Sequence, residues 1–391
     1  MSKKVFLKRN EEKRINSGHP WVFSNEIREI QGGPSKGDIV DTYDNLQRFL
    51  GKGFFNPSSL IAVRLITKSQ ENIDTAFWTR KISKALEYRK TIYPDLESFR
   101  AFFGESDGIP GLIVDKYARY LSLQFLSAGI EKNQNEIIES LKQVFNPAGI
   151  IARNDSFLRK LEGLEEKTEI LYGDIPDKIK IEENGISFWV DISSGQKTGF
   201  YFDQRDNRHL FSKYCKGKKV LDCFCHTGAF GIYALKAGAK EVIWLDSSKS
   251  ALEKAEENAD LNAFKEKFNG ILGNTSDYLS DIQAEKEKFD IINLDPPALI
   301  KSKKDFNAGF KAYVKLNTSA LKLLSGGGIL ATSSCSHNLS QSDFREMLKD
   351  ACAKSDKQVR ILEMGLQAKD HPILISMPET EYLKFAVLEV I

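Results

Sequence analysis

Cysteine is scarce in this sequence of 391 residues: there are five, an odd number. Two stand close together, Cys223 and Cys225, and no second cysteine pair or histidine pair follows at the spacing of metal ligands. So sparse and odd a set argues against a disulfide framework. His226 adjoins the pair in an apolar segment, where small soft side chains pack well. We therefore expect neither a disulfide nor a bound metal.

Long hydrophobic runs and strong net charge are also missing. No apolar run reaches the length of a membrane span, and residues 1–4 are polar, without the apolar core of a signal peptide. We therefore expect a cytoplasmic protein without membrane contact. The formal charge of +2 indicates no partner by itself, but residues 1–70 carry twelve Lys and Arg against seven Asp and Glu. A local basic stripe can neutralise phosphates, although a solvated basic terminus has the same pattern.

The length predicts two or three domains, and neither an internal repeat nor a low-complexity tract is visible. Residues 1–72 contain short strand patterns separated by Gly, Pro and Asn turns, which predicts a β-rich module. Residues 73–185 predict a compact α+β domain, with a helix over 74–93, another over 131–145, and a charged connection over 159–180. A strand over 186–191 then leads into the last domain.

Residues 186–391 predict an α/β domain with a mainly parallel sheet. From about residue 205, strands and helices alternate regularly, which is typical of βαβ units. The predicted strands cover 220–224, 241–245, 289–294 and 328–333. Side chains that follow these strands should gather at one edge of the sheet, where α/β proteins bind ligands.

The first two of these strands predict a site for an adenosyl ligand. Asp222 to Gly228 forms a strand-to-helix turn with small residues, which lets the backbone approach a ligand. The turn lacks the third glycine of a dinucleotide fingerprint, so NAD is disfavoured. Asp246 ends the next strand at the position of an acid that binds ribose hydroxyls. An ordinary βα turn is the alternative for either segment alone.

Asp295, Pro296 and Pro297 follow the third strand. Two prolines fix the backbone and remove donors, which suits a rigid loop where a flat base lies beside a methyl donor. Methyltransferases that modify exocyclic amines place an aromatic residue next, whereas Ala298 stands here. This argues against methylation of adenine N6 or guanine N2.

Cys335 follows the fourth strand, at the same sheet edge. A thiolate there could attack cytosine C6, make C5 nucleophilic enough to accept a methyl group, and leave once a base removes the C5 proton. A small residue packed at a strand end is the alternative.

Three further features have two interpretations each. Asn274 could accept a hydrogen bond from the adenine amine or cap a helix over 276–281. The polar and aromatic segment 198–208 could hold the methionine moiety and offer Arg205 or Arg208 to phosphate, or it could contain a local Asp203–Arg208 ion pair. His371 could accept the C5 proton, although a satisfied loop histidine is the favoured interpretation.

Together these strings resemble the bacterial 23S ribosomal RNA cytosine-C5 methyltransferases. The similar segments are 202–205 (FDQR), 222–224 (DCF), 295–297 (DPP), 334–336 (SCS) and 370–372 (DHP). Upstream, 19–23 (HPWVF) looks like the start of that family's PUA domain, and 104–112 looks like its central EEHEE domain. The resemblance therefore covers nearly the whole chain. It assigns 1–72 to a PUA-like RNA-binding domain, 73–185 to an EEHEE domain and 186–391 to a Rossmann-like (class I) methyltransferase domain.

The resemblance implies S-adenosylmethionine as donor, a cytosine in large-subunit ribosomal RNA as target, and the PUA domain as an RNA platform. It implies that Cys335 is the nucleophile and that Asp295 holds the target base. Two departures concern the donor site: His226 stands where an aromatic residue is common, and Asn274 where an aspartate is common. The predicted donor contacts are Phe202, Gln204, Arg205, Asp222, Phe224, Thr227, Gly228, Asp246, Ser247, Asn274 and Asp295. The predicted phosphate contacts are Arg9, Arg14 and Lys52.

Two other functions remain open at this point. The chain could methylate another base or a small molecule, with Cys335 only structural, or it could be an RNA- or ribosome-binding protein whose methyltransferase half has decayed. The presence of Asp222, Asp246, Asp295 and Cys335 together argues against decay, because no structural demand requires all four. The modified nucleotide and a homodimer are not decided by the sequence.

Overall fold

The computed structural model describes residues 2–193, 195, 199–284 and 287–391. The chain divides into two compact units. Unit 1 comprises Met1–Ile181, Val190–Phe202 and Asp370–Thr380, and unit 2 comprises Glu182–Trp189, Asp203–Lys369 and Glu381–Ile391. The finer division into domains at 1–72, 73–185 and 186–391 stays a prediction.

The first part of unit 1 is the β-rich module that the turn pattern predicts. Its elements are β1 (Lys4–Leu7), α1 (Lys13–Asn16), β2 (Trp21–Phe23), β3 (Ile27–Gln31), β4 (Ile39–Tyr43), β5 (Phe49–Phe55) and β6 (Ile61–Thr67). The strands form one sheet in the order β2-β6-β5-β4-β1-β3. Inward-facing aliphatic residues such as Val5, Val40 and Val63 are fully buried and supply its core.

The rest of unit 1 is an α+β layer. Its elements are α2 (Thr75–Ile92), β7 (Phe99–Phe103), β8 (Leu112–Tyr117), β9 (Tyr120–Phe125), α3 (Ala128–Lys132), α4 (Gln134–Phe145), β10 (Gly149–Asn154), α5 (Leu158–Leu161) and β11 (Lys167–Gly173). The strands form a sheet in the order β11-β10-β9-β8-β7. The helix predicted over 74–93 is confirmed as α2, with Asp74 as its cap through the Phe77 N–H (3.0 Å).

The structure differs from two sequence predictions in this layer. The helix predicted over 131–145 is present as α4 from Gln134 to Phe145. It is separated from α3 at Asn133, whose side chain donates to the Gly129 carbonyl (2.7 Å) and competes with the helical backbone. The charged connection predicted over 159–180 contains α5 and the edge strand β11. β11 pairs with β10 only, and its side chains Ile170 and Tyr172 are exposed. An edge strand of this kind does not need one buried apolar face, so its sequence lacks the regular apolar alternation by which a strand is predicted.

The α/β fold predicted for the last part of the chain is confirmed. β12 (Ile179–Glu183) and β13 (Ile186–Val190) stand where the chain passes from unit 1 to unit 2. The later elements are α6 (Arg205–Ser212), β14 (Lys219–Cys223), α7 (Ala229–Lys236), β15 (Glu241–Asp246), α8 (Lys249–Leu261), β16 (Gly270–Leu272), α9 (Thr275–Ala284), β17 (Phe289–Leu294), α10 (Phe306–Leu323), β18 (Leu324–Ser334), α11 (Gln341–Ser355), β19 (Val359–Gly365) and β20 (Lys384–Val390).

The sheet of unit 2 has the order β16-β15-β14-β17-β18-β20-β19. Strands β14 to β18 run parallel, and β20 runs antiparallel to both of its neighbours. The inner parallel strands β14, β15 and β17 are largely buried on both faces, so they read as nearly continuous apolar runs. Chain order reverses between β14 and β17, which makes the carboxyl ends of these two strands the expected ligand site.

Candidate active site

The turn that follows β14 has an unusual backbone. Phe224 (φ 59°), His226 (φ 49°) and Gly228 (φ 78°) all lie in the left-handed region, which residues other than glycine rarely adopt. At Gly228 a Cβ would lie 2.9 Å from the Ala255 Cβ, so only glycine fits there. Such conformations persist only where surrounding contacts hold them, and they cluster at ligand sites. The turn therefore brings backbone close to the switch point.

Two of the predicted donor contacts, Asp222 and Asp246, stabilise the elements around this turn. The buried Asp222 carboxylate accepts the Gly231 N–H (2.9 Å) and the Asn293 side-chain amide (2.8 Å). Asp246 is partly exposed and accepts the His226 N–H (2.9 Å) and the Ser248 N–H (2.9 Å). Asp222 thus joins β14 to α7 and β17 from inside the protein. Asp246 is partly exposed, as a ligand of ribose hydroxyls must be.

The carboxylates repel one another at this edge. Burial, together with the negative charges of Asp295 and Asp246, raises the pKa of Asp222 to about 7. A positively charged ligand in this place would relieve that repulsion. The electrostatics therefore favour a cationic ligand over an anionic one.

Gln204 joins the segment before α6 to the ends of two strands. Its side-chain amide donates to Asp295 Oδ1 (2.8 Å) and to Ser333 Oγ (3.1 Å), while its oxygen accepts the Asn207 amide (2.7 Å). The structure therefore brings together Gln204 and Asp295, which the sequence predicts for the same site from two separate motifs.

Cys335 lies directly after β18 and is partly exposed, between two buried serines. The Tyr313 hydroxyl, on α10, accepts a hydrogen bond from Ser334 Oγ (2.9 Å) and shares another with Ser336 Oγ (2.9 Å). Sequence reasoning missed Tyr313, because a tyrosine among the apolar positions of a helix resembles any core residue.

The same network reaches the loop after Asp295. The Leu299 N–H donates to the Tyr313 hydroxyl (3.3 Å), and the Ile300 N–H donates to Ser336 Oγ (3.1 Å). The loop that follows Asp295 and the segment around Cys335 are therefore held in one fixed arrangement.

The other cysteines lie in less reactive surroundings. Cys215, Cys223 and Cys225 are buried, and burial raises the pKa of each thiol, which disfavours the thiolate. Cys352 is partly exposed on α11, and burial raises its pKa as well. Cys335 is thus distinguished by its place at the carboxyl edge of the sheet.

The interpretation of Arg205 and Arg208 as phosphate contacts is wrong. Both guanidinium groups are buried and form ion pairs with Glu183, at 3.0 Å and 2.6 Å. The Tyr233 hydroxyl also donates to Glu183 (2.9 Å). Buried charges of this kind are stable only when paired, so this cluster supports the fold beneath α6 and is not available to RNA.

Other predicted donor contacts lie in several places. Phe202 belongs to unit 1 and packs against Tyr117, with ring centroids 5.0 Å apart. Thr227 is buried, and its carbonyl accepts the Asn258 amide (3.2 Å). Ser247 is exposed beside Asp246, and Thr198 lies outside the described residues.

Asn274 and His371 have local partners. The Asn274 side-chain oxygen accepts the Ser276 N–H (2.8 Å), as a cap of α9 does, so the contact with adenine stays a prediction. His371 lies in unit 1, buried, with Nδ1 2.8 Å from Asp370 Oδ1. This is the satisfied loop histidine that the sequence favours.

The predicted phosphate contacts differ in their freedom to bind RNA. Arg9 is exposed and forms no ion pair with any described residue. Arg14 pairs with Glu26, and Lys52 lies 3.5 Å from Asp41. Arg9 alone of the three therefore presents an uncompensated charge.

Metal sites and membrane-spanning helices are both absent from the described residues. There, no group of three or more His, Cys, Asp or Glu side chains is arranged to hold a metal ion. Nor does the described part of the chain contain a helix long and apolar enough to cross a bilayer.

Comparisons with known proteins agree with this architecture. Residues 5–68 match the PUA-like domain model, and residues 132–364 match the S-adenosylmethionine-dependent methyltransferase model. The chain is 41% identical to the ribosomal RNA large subunit methyltransferase I of Pseudoalteromonas atlantica over 100% of both chains. It is 38% identical to the protein of the same name from Vibrio campbellii, over 98% of both.

Solved structures share the fold at lower identity. An S-adenosylmethionine-dependent methyltransferase from Streptococcus mutans superposes with a TM-score of 0.85 at 22% identity, over 100% of both chains. A methyltransferase structure complexed with SAH gives a TM-score of 0.86, also at 22% identity and over 100% of both chains. These two structures establish the fold.

Proposed function

The chain belongs to the ribosomal RNA large subunit methyltransferase I family of S-adenosylmethionine-dependent methyltransferases, and we propose that it forms 5-methylcytosine in large-subunit ribosomal RNA. The observation that carries the proposal is the arrangement of Cys335 and Asp295 at the ends of neighbouring strands β18 and β17, held together through Tyr313 and Gln204. A thiol and a carboxylate beside a donor turn are the groups that C5 methylation requires.

The residues of the turn fit S-adenosylmethionine. Its sulfonium and ammonium charges match the carboxylates of Asp246 and Asp295, which together with burial raise the pKa of Asp222. The left-handed turn at 224–228 admits the ligand close to the backbone, and the partly exposed Asp246 can accept from the ribose hydroxyls. When bound, the donor supplies an electrophilic methyl group. Proposed contacts are Phe202, Gln204, Arg205, Asp222, Phe224, Thr227, Gly228, Asp246, Ser247, Asn274 and Asp295.

The chemistry begins at Cys335. Its thiolate bonds to cytosine C6, and the displaced electron pair makes C5 nucleophilic. C5 takes the methyl group, the C5 proton is removed by a base, and the electrons of that C–H bond restore the ring as sulfur departs. Asp295 is positioned by Gln204 to accept from the cytosine N4 amine, a pairing that carboxylates make with this base.

RNA has to present an unstacked cytosine, which costs least in loops and single strands. The PUA-like domain, with Arg9, Arg14 and Lys52, is the first proposed contact with the RNA backbone. A second lies in unit 2, where exposed lysines follow the Asp295 loop and form no ion pair with any described residue: Lys301, Lys303, Lys304, Lys311 and Lys315. The Ile300 N–H donates a hydrogen bond to Ser336 Oγ. This lysine surface, which starts at Lys301, therefore begins close to the residue that follows Cys335. A ribosomal RNA substrate also implies a cytoplasmic location.

Product analysis tests the proposal. Large-subunit ribosomal RNA methylated by the enzyme is digested to nucleosides, and the methylated nucleoside is identified by mass spectrometry against standards. We expect 5-methylcytidine, with loss of product in Cys335→Ala and normal product in the control Cys352→Ala. A methylated purine or N4-methylcytidine as the product, or full turnover in Cys335→Ala, would overturn the proposal and favour methylation of another group with Cys335 structural.

A further inference from the structure

Lys384 is a buried lysine at the first position of β20, only 2% exposed. Its antiparallel partner on β18 is Ser334, the residue before Cys335. The Lys384 ammonium donates to the Ser336 carbonyl (2.7 Å) and to the Tyr382 carbonyl (2.9 Å). Lys384 therefore contacts Ser336, which follows Cys335, and pairs in the sheet with Ser334, which precedes it.

Two carbonyls do not compensate a buried positive charge. Lysine is almost never fully buried unless it is paired, because an ammonium loses much of its solvation. Over the described residues Lys384 makes no ion pair with a carboxylate, and the third ammonium proton has no hydrogen-bond partner there. The charge requires an anion nearby.

Cys335 is the group placed to supply that anion. Burial lowers the pKa of Lys384 to about 8, and the negative charge that opposes this most is the Cys335 thiolate, ahead of Glu381 and Asp343. The Tyr313 hydroxyl, which contacts the side chains of Ser334 and Ser336, is neutral below its raised pKa. At neutral pH the Lys384 ammonium is mostly protonated, because the pKa of Lys384 is about 8.

We propose that Lys384 is a positioning residue that holds Cys335 as the thiolate and fixes the direction of its sulfur through the Ser336 carbonyl. This rests on the proposed nucleophilic role of Cys335. A neighbouring cation favours the thiolate, which is the attacking species. No proton passes to or from Lys384: the sulfur loses its charge as the S–C6 bond forms and regains it beside the ammonium as that bond breaks.

The test measures thiolate formation without RNA or donor. The full-length protein is alkylated with iodoacetamide across pH 5–10, and the modification of the Cys335 and Cys352 peptides is followed by mass spectrometry. In Lys384→Met we expect the midpoint pH of Cys335 alkylation to rise by roughly one unit or more, which slows alkylation at pH 7 by about tenfold. Lys384→Arg should restore most of the difference, and Cys352 should not change.

An unchanged Cys335 midpoint in Lys384→Met that melts like the wild type would overturn the inference. If that variant does not fold, the wild-type protein still decides: a Cys335 midpoint at or above the ordinary thiol value of about 8.5 overturns it, and a lower one supports it. Alkylation requires neither RNA nor S-adenosylmethionine, so it tests Lys384 separately from the reaction. If Lys384→Met shifts the Cys335 midpoint but the enzyme makes no 5-methylcytidine, the proposed function is refuted and the inference about Lys384 is not.

Discussion

The side-chain amide of Gln204 donates a hydrogen bond to Asp295 (2.8 Å), across 91 residues of sequence. The same amide reaches Ser333, two residues before Cys335. One side chain thus fixes the relative position of the carboxylate proposed to hold the target base and the strand that precedes the proposed nucleophile.

Gln204→Ala should reduce methyl transfer more than donor binding. The variant removes the side-chain amide whose hydrogen bond orients Asp295. Hydrogen bonds to charged groups contribute about 1.5–3 kcal/mol, so kcat should fall roughly 10- to 100-fold. Steady-state kinetics and calorimetric titration of S-adenosylmethionine separate the two effects. The matched control is Gln358→Ala, an exposed glutamine, which should behave as wild type. Equal kcat values in the two variants would rule out an orienting role for Gln204.

Tyr313→Phe should weaken catalysis without changing donor affinity. It removes the hydroxyl that Ser334, Ser336 and the Leu299 N–H contact, and leaves their polar groups buried without that partner. We expect the free energy of unfolding to fall by about 1–3 kcal/mol and kcat to fall about tenfold or more. Denaturant unfolding and single-turnover kinetics measure the two quantities.

The control for Tyr313→Phe is Tyr172→Phe, which removes a hydroxyl from an exposed ring of unit 1. It should change neither quantity. A Tyr313→Phe enzyme with wild-type turnover would show that the hydroxyl does not position Cys335.

Asp222 should make the unfolding free energy depend on pH. The folded-state pKa of Asp222 is raised to about 7 from the ordinary 3.8, so the folded protein keeps a proton that the unfolded chain loses between about pH 4 and 7. The contribution of Asp222 is therefore fully present below pH 4 and is lost as pH rises to 7. Urea unfolding of the donor-free protein from pH 4 to 8 should show a smaller decline in Asp222→Asn than in wild type. Identical slopes would contradict the assignment.

The lysine surface after Asp295 should contribute to RNA affinity through charge. Neutralising three of its members should lower the slope of log K against log salt by about 0.7 per lost contact, or roughly 2 in all, since single-stranded RNA behaves in this way. Affinity for S-adenosylmethionine should not change. Filter binding of a ribosomal RNA fragment at several salt concentrations measures the slope for the combined substitutions Lys301→Gln, Lys303→Gln and Lys304→Gln.

A matched control removes the same charge from the opposite edge of the sheet. Its three exposed lysines, near the amino ends of β14 and β15, form no ion pairs with described residues. The control substitutions, which should leave the salt slope unchanged, are Lys216→Gln, Lys236→Gln and Lys240→Gln. If both triple variants lose the same slope, the attraction is non-specific and the lysine surface has no particular role.

The sequence predicts the site residues at the strand ends better than the residues that hold them in position. Asp246 and Asp295 follow strongly apolar runs, and such runs are typical of strands buried on both faces, so their shared edge could be inferred. Tyr313 and Lys384 could not, because their importance comes from contacts with residues more than 20 positions away.

Burial explains the incorrect prediction in segment 198–208. Arg205 and Arg208 lie in a polar segment that resembles an exposed phosphate-binding site. Only the fold reveals that both pair with the buried Glu183, which also accepts a hydrogen bond from Tyr233. A polar string does not state which of its side chains face the interior, since that depends on partners elsewhere in the chain.

The proposed covalent bond between Cys335 and cytosine C6 can be trapped with RNA that contains 5-fluorocytidine. Fluorine at C5 cannot be removed as a proton, so the enzyme should stall after methyl transfer with the RNA still attached. We predict an adduct that survives denaturation, maps to Cys335 by mass spectrometry, requires S-adenosylmethionine for its methylated form, and is absent in Cys335→Ala. Methylation of ordinary ribosomal RNA without any adduct on the fluorinated RNA would show that Cys335 forms no covalent bond with the target base.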